Sequence, residues 1–346
     1  MKAYRFVAYQ EPPRFEDVAV PEPGPGQVLV KIAGAGVCHS DLHVLEWPAA
    51  QNPLRPPFTL GHENAGWVER VGPGVEAFRH GDPVAVYGSW GCGACRTCRQ
   101  GMENYCERQA EIPGMGGGLG LDGGMAEYML VPSSRLLVPL RSLDPRDAAP
   151  LTDAGLTPYH AIKRSLGLLV PGASAAVIGV GGLGQMGVQI LRALTAARII
   201  AVDKDEGKLR LAKEMGADGV VRAGEGAPEE IRQATRGRGV EVVVDFVGAD
   251  ATLALAAKIA RPQGHVTLVG LAGGTFPFGF FALPYECSLA TTYWGSITEL
   301  MEVIALAEQG RIDLHVERFP LDRAPDAYQR LRAGTVRGRA VIVPHG

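Results

Sequence analysis

The chain has 346 residues, with 34 Lys and Arg against 37 Asp and Glu and a formal net charge of −3. That balance, without a basic or acidic block, argues against nucleic acid or a membrane surface as partner and points to a small molecule. The length predicts two domains, each with its own core; the N-terminal MKAYRFVAYQEPPRFEDV lacks an apolar signal core and no apolar run is long enough for a bilayer, so a cytoplasmic protein is expected.

From Met1 to about Pro150, short alternating or apolar runs (QVLVKIAGAGV, AGWVERVG, DPVAVYG, MAEYMLVP) punctuated by Gly and Pro predict a small barrel-type β domain whose loops carry the chemistry. Cys38 in AGVCHSDLH and His62 in LGHENAG each stand beside a strand-like run. Taken singly, a buried cysteine behaves as a small hydrophobe and a histidine as a hydrogen-bonding side chain. Further on, Cys92, Cys95, Cys98 and Cys106 lie in GCGACRTCRQGMENYC. The two, two, seven spacing lets one loop wrap a tetrahedral zinc ion, and three of these cysteines are too close in sequence to pair comfortably as disulfides. A closed site of four thiolates has no open position for chemistry, so it shapes a lobe and the reaction belongs elsewhere.

From about Leu151 to Leu283 apolar strands alternate with helix-like segments: ASAAVIGV, GGLGQMGVQILRALT, ARIIAVD, KLRLAKEMGA, VEVVVDFVG and HVTLVGLA. This alternation predicts a parallel sheet with helices on both faces. Gly179, Gly181 and Gly184 form G-x-G-x-x-G directly after AAVIGV and at the head of an amphipathic run, with Gly182 and Leu183 completing the turn. In that context the first glycine permits a tight turn, the second a close approach of pyrophosphate, and the third close helix packing, with the helix N-terminus favouring the anion. Asp203 closes the next strand, IIAVD, where a carboxylate accepts ribose hydroxyls and repels a 2'-phosphate, which favours NAD over NADP; Lys208 is within reach of the same ribose. Val247 with Gly248 and Val269 with Gly270 end the later strands, the position where ligands sit in such sheets. The tail from about Arg311, ending in GRAVIVP, returns to strand pattern and is expected to rejoin the first domain.

The motifs Cys38-His39-Ser40-Asp41 and Gly61-His62-Glu63-Asn64-Ala65-Gly66, the four-cysteine lobe, the glycine fingerprint and GRAVIVP together make the chain resemble the zinc-dependent medium-chain alcohol dehydrogenases over nearly its whole length. The resemblance implies a GroES-like domain at 1–150 and 311–346 carrying two zinc sites, one catalytic and one structural, and a Rossmann NAD-binding domain at 151–310, with the active site in the cleft between them. It implies catalytic ligands Cys38 and His62 and a third near the domain junction, where PLTDAGLTPYHAI offers Asp153 in place of the cysteine that many members carry. A carboxylate is an acceptable zinc ligand, and Glu63 is the rival.

By the same resemblance Ser40 accepts the alcohol proton and His43 releases it to solvent, Asp41 orients His62, Glu63 exchanges transiently with zinc-bound water, and His39 and Arg339 contact pyrophosphate. Trp47, Leu119 and Trp294 are the expected pocket wall, with Ser296 beside them. So apolar a wall suits hydrophobic or aryl secondary alcohols and their ketones. A polyol or other specialised dehydrogenase of the same superfamily remains the nearest alternative, and a non-catalytic NAD-binding redox sensor the alternative from another class. The resemblance also implies a homotetramer or a dimer, paired through the edge of the Rossmann sheet, for which LAGGTFPFGFFALP has the apolar look.

Overall fold

The strand Val28–Gly36 is buried at every position but Lys31. It therefore reads as a continuous apolar run and not as the alternation of a half-buried strand. In the computed structural model, which describes residues 1–346, this strand is the hub of a seven-stranded sheet. The sheet runs Leu137–Pro139, Pro83–Val86, Glu63–Val71, Val28–Gly36, Arg339–Val343 and Val316–Pro320, and Tyr128–Val131 pairs with Val28–Gly36 off that path. The closing strand Arg339–Val343 meets the hub antiparallel, Val341 opposite Gly36. A second sheet joins Arg14–Asp17, Lys2–Phe6 and Phe58–Thr59.

These sheets belong to one compact unit, made of Met1–Asp153, Gly295–Glu308 and Leu314–Gly346; the other consists of Ala154–Trp294 and Gln309–Asp313. The helix Ile297–Glu308 thus groups by contacts with the first unit, while the resemblance set the domain bound after it, at 310. The reason is local: the Ile297 N–H donates to the Gly101 carbonyl at 2.9 Å, and the Arg141 N–H donates to Glu308 Oε1 at 2.7 Å.

The second unit holds one six-stranded sheet, all parallel: β1 Ser174–Ile178, β2 Arg198–Asp203, β3 Gly219–Arg222, β4 Val240–Asp245, β5 Ala260–Leu268 and β6 Ser288–Thr291. The spatial order is β3-β2-β1-β4-β5-β6. This is the doubly wound dinucleotide-binding order, in which the crevice lies at the carboxyl ends of the strands on either side of β1. All five residues of β1 are buried, as a strand covered on both faces requires. Ile178, Ile200, Val202, Val243 and Val266 build the core on one face with Ile231 and Ile259 from helices.

Candidate metal centres and nucleotide site

The hub strand ends at Gly36 and the chain turns at once into the helix His39–Glu46, with Cys38 as its N-cap. The Asp41 side chain closes that turn by accepting the Cys38 N–H on Oδ2 at 3.0 Å. Its other oxygen, Oδ1, accepts the His62 Nδ1–H at 2.8 Å. That bond fixes the tautomer and leaves the Nε2 lone pair of His62 for a ligand. Cys38, His62, Glu63 and Asp153 present one ligand atom each, all within 4.8 Å of one another. Asp153 Oδ2 lies 3.6 Å from Cys38 Sγ and 3.6 Å from His62 Nε2. Donors bound at about 2.0–2.3 Å around a tetrahedral zinc stand about 3.3–3.8 Å apart, so the three fit the ion.

Glu63 is committed differently. Its carboxylate accepts Nε of Arg339 at 3.0 Å and a second bond from Nη2, both groups being buried. Gly36 makes room for it, since a Cβ there would stand 1.9 Å from Glu63 Oε2. Burial pushes the Glu63 carboxyl up to about 7 against the opposing pull of Arg339. For His62 burial works against the charged ring, but Asp41 and Asp153 outweigh it and its pKa stands well above the usual value. Ser40 Oγ is 3.4 Å from His62 Nε2. His43 lies on the same helix with Nδ1 buried and without a hydrogen-bond partner, its ring 5.9 Å from that of Trp47. His39 is exposed, Trp47 is 38% exposed, and Leu119 is buried.

Two parts of this site, Leu119 apart, had not been singled out in the sequence. The segment 114–124, GMGGGLGLDGG, packs on the backbone before His62: Gly124 N–H donates to the Gly61 carbonyl at 3.0 Å, and a Cβ on Gly118 or Gly123 would stand 2.4 or 2.2 Å from that oxygen. Its density of glycine was the visible signal. Tyr328 reaches Asp41 from a helix near the chain's end; no local pattern announces a partner 287 positions away.

The four cysteines of the lobe are all free thiols whose sulfurs lie within 4.8 Å of one another. Cys92 Sγ is 4.0 Å from Cys98 Sγ, and Cys95 Sγ is 4.0 Å from Cys106 Sγ. The edge of a tetrahedron with zinc–sulfur bonds of about 2.3 Å is about 3.8 Å, so this set fits zinc as well. Backbone N–H groups of Ala94 and Cys95 point at Cys92 Sγ and that of Cys92 at Cys106 Sγ. A bond from the Thr97 hydroxyl and another from the Cys98 N–H hold the Cys95 thiol down at about 5, in its thiolate form.

In the second unit Gly179 has φ +86°, and a Cβ there would meet Val247 at 2.5 Å. A Cβ on Gly184 would stand 1.9 Å from the Gly179 carbonyl oxygen. The protein itself therefore demands glycine at both positions. Gly181 is different: its φ is negative, and no protein atom lies within 4 Å of the place a Cβ would take. Packing within the chain does not demand glycine there; Gly181 caps the helix Gly182–Leu194, where a pyrophosphate is favoured.

Asp203 ends β2 with both oxygens oriented, by the Val180 N–H at 2.7 Å and the Asp205 N–H at 3.0 Å. Lys208 is half-buried one turn into the next helix, its N–H on Asp205 Oδ1. Gly248, φ +72°, and Gly270 let the loops after β4 and β5 touch, since a Cβ on Gly270 would stand 2.2 Å from the Val247 carbonyl carbon. Val247 and Val269 thus border one another at the carboxyl ends of those strands. Trp294, the last residue of the second unit's main segment, is buried and takes φ +52°.

Residues 24–142 match the alcohol dehydrogenase GroES-like domain family and residues 182–309 the zinc-binding dehydrogenase family. The D-arabinose 1-dehydrogenase (NADP(+)) of Saccharolobus solfataricus is 39% identical over 99% of this chain and 97% of its own. The NAD-dependent alcohol dehydrogenase of Sulfurisphaera tokodaii is 36% identical over 99% of this chain and all of its own. The crystal structure of the alcohol dehydrogenase from Aeropyrum pernix superposes with a TM-score of 0.91 at 40% identity, covering 99% of this chain and 100% of that one. With a GroES-like unit, a doubly wound unit and two donor sets that fit zinc, the chain belongs to the zinc-dependent medium-chain alcohol dehydrogenases, oxidoreductases that work with zinc and NAD.

Proposed function

We propose that this enzyme transfers hydride reversibly between a hydrophobic or aryl secondary alcohol and NAD, with Cys38, His62 and Asp153 holding the catalytic zinc and the four cysteines of the lobe a structural one. The observation that carries the reading is the mutual placement of Cys38 Sγ, His62 Nε2 and Asp153 Oδ2, while Glu63 is held by Arg339. Zinc bound there would supply a Lewis acid that makes an alcohol hydroxyl more acidic. Ser40 takes the hydroxyl proton at Oγ and gives up its own, which His43 passes to solvent. Asp41 keeps the His62 ring in one tautomer and one orientation.

On the nucleotide side, Gly181, Gly182, Leu183 and Gly184 cradle the pyrophosphate, Asp203 accepts the ribose hydroxyls with Lys208 alongside, and Val247 and Val269 flank the nicotinamide. Glu63 is paired with Arg339, and His39, exposed at the start of its helix, reaches toward the pyrophosphate with it. Trp47, Leu119 and Trp294 supply apolar pocket surface. A pentose or polyol is the second reading, favoured by the 39% identity to a D-arabinose dehydrogenase.

A panel containing 1-phenylethanol, 1-butanol and D-arabinose, assayed by NADH absorbance, separates the two. The first reading expects kcat/KM for 1-phenylethanol at least about tenfold above that for D-arabinose, about 1.4 kcal/mol of transition-state binding. The reverse order overturns the substrate class, and no turnover of any with NAD overturns the reading as an enzyme.

The second unit supports an assembly. Leu271, Phe278, Phe280, Phe281 and Tyr285 are each more than 60% exposed in one segment that leads into the edge strand β6. A second copy pairing there would cover them, giving a dimer and, by a further contact, a homotetramer. No helix is long and apolar enough to cross a membrane. The zinc-binding thiolates support a reducing compartment, the cytoplasm.

A further inference from the structure

We infer that Tyr328 is a positioning residue for the catalytic metal: its hydroxyl locks the Asp41 carboxylate that orients the His62 ligand. The inference rests on the reading that Cys38, His62 and Asp153 hold that metal.

Asp41 is 1% exposed and its carboxylate has two oxygens to satisfy. Oδ1 accepts the His62 Nδ1–H at 2.8 Å. Oδ2 accepts the Cys38 N–H at 3.0 Å and the Tyr328 O–H at 3.0 Å. A buried carboxylate met by three donors has one orientation, and that orientation sets the plane of the imidazole.

The tyrosine is itself held. It is 3% exposed, on the helix Ala324–Arg332, whose buried face is Ala324, Ala327 and Tyr328. Its oxygen lies 3.5 Å from Met125 Sδ. With a single hydroxyl proton given to Asp41, that contact is packing only. Met125 in turn lines the turn at Gly61, where a Cβ would stand 2.9 Å from Met125 Cγ. The same tyrosine therefore braces His62 twice, through Asp41 on the ring side and through Met125 on the backbone side.

Tyr328→Phe keeps the ring and its packing and removes only the O–H donor. Without it Oδ2 keeps one donor, and the carboxylate gains freedom to swing away from His62. Outer-shell partners of a ligating histidine typically change metal affinity by about 10–100-fold. A partner one bond further out is expected at the lower end or below, about 3–10-fold.

The experiment follows zinc release from the intact enzyme into a chromogenic chelator. Two ions per chain leave in separate phases, and the four-cysteine phase serves as internal reference. In Tyr328→Phe the catalytic phase should accelerate about 3–10-fold with the lobe phase unchanged. In an Asp41→Asn background the Tyr328→Phe change should have no further effect, because both act through one carboxylate. Unchanged release in Tyr328→Phe, equal acceleration of both phases, or the same acceleration in the Asp41→Asn background each overturn the inference while leaving the metal-site reading intact. One zinc per wild-type chain, confined to the lobe, overturns the reading and the inference with it.

Discussion

The three fingerprint glycines are alike in sequence and unlike in cause, and that difference can be measured. Gly184 sits where a Cβ would be 1.9 Å from the Gly179 carbonyl oxygen and 2.9 Å from its carbon. Both atoms are backbone, so Gly184→Ala must move the strand-to-helix turn. At the upper end of overpacking, about 3 kcal/mol, the melting temperature of the unit falls by about 6–12 °C. Gly181 has φ −81° and ψ −160° with nothing within 4 Å of a Cβ. Gly181→Ala gains about 0.4–1 kcal/mol from a stiffer unfolded chain and gives back a similar amount at the helix cap, so the fold is unmoved. The methyl instead meets the pyrophosphate, where about 1–3 kcal/mol of crowding weakens NAD roughly 5- to 150-fold. Differential scanning fluorimetry without cofactor and titration calorimetry with NAD separate the two effects. The reasoning fails if Gly184→Ala melts with the wild type, or if Gly181→Ala binds NAD with unchanged affinity.

Arg339→Ala leaves the Glu63 carboxylate buried without its counter-ion, at a cost of about 3–5 kcal/mol; a urea midpoint equal to that of the wild type would contradict the pairing seen here. Asp203→Ser removes the acceptor for the ribose and the repulsion of a 2'-phosphate, so the ratio of kcat/KM for NADP over NAD should rise by at least about tenfold, and a ratio that stays put would place cofactor choice elsewhere. Phe280→Ser with Phe281→Ser replaces the two most exposed phenylalanines, and light scattering should then show a smaller species than the wild-type assembly; an unchanged mass would move the interface to another surface.

The parts of this protein that are local in sequence were the legible ones. The β1 run, its glycine turn and Asp203 fall within one strand, turn, helix and strand, and the spacing of the lobe cysteines is itself the geometry of a tetrahedron. Arg339 shows the limit. The resemblance gave it a role toward pyrophosphate, and nothing local in sequence said that the Nε and Nη2 edge of its guanidinium meets Glu63, 276 residues away. Tyr328 was silent for the same reason, since an amphipathic helix demands an apolar residue at that position and nothing local says that its hydroxyl meets a carboxylate. The helix Ile297–Glu308 lies beyond the alternating run that ends near Leu283, and its own periodicity could not reveal that its ends bond to Gly101 and Arg141.

The central claim is an open zinc site completed by Asp153, separate from the closed lobe. Elemental analysis of zinc per chain in the wild type, Cys38→Ser and Asp153→Ala tests it most directly, with thermal melts to show that each variant is folded. The account predicts two zinc ions in the wild type and about one in each variant. Two ions retained in Asp153→Ala would remove Asp153 from the ligand set, and one ion in the wild type would contradict the catalytic metal altogether.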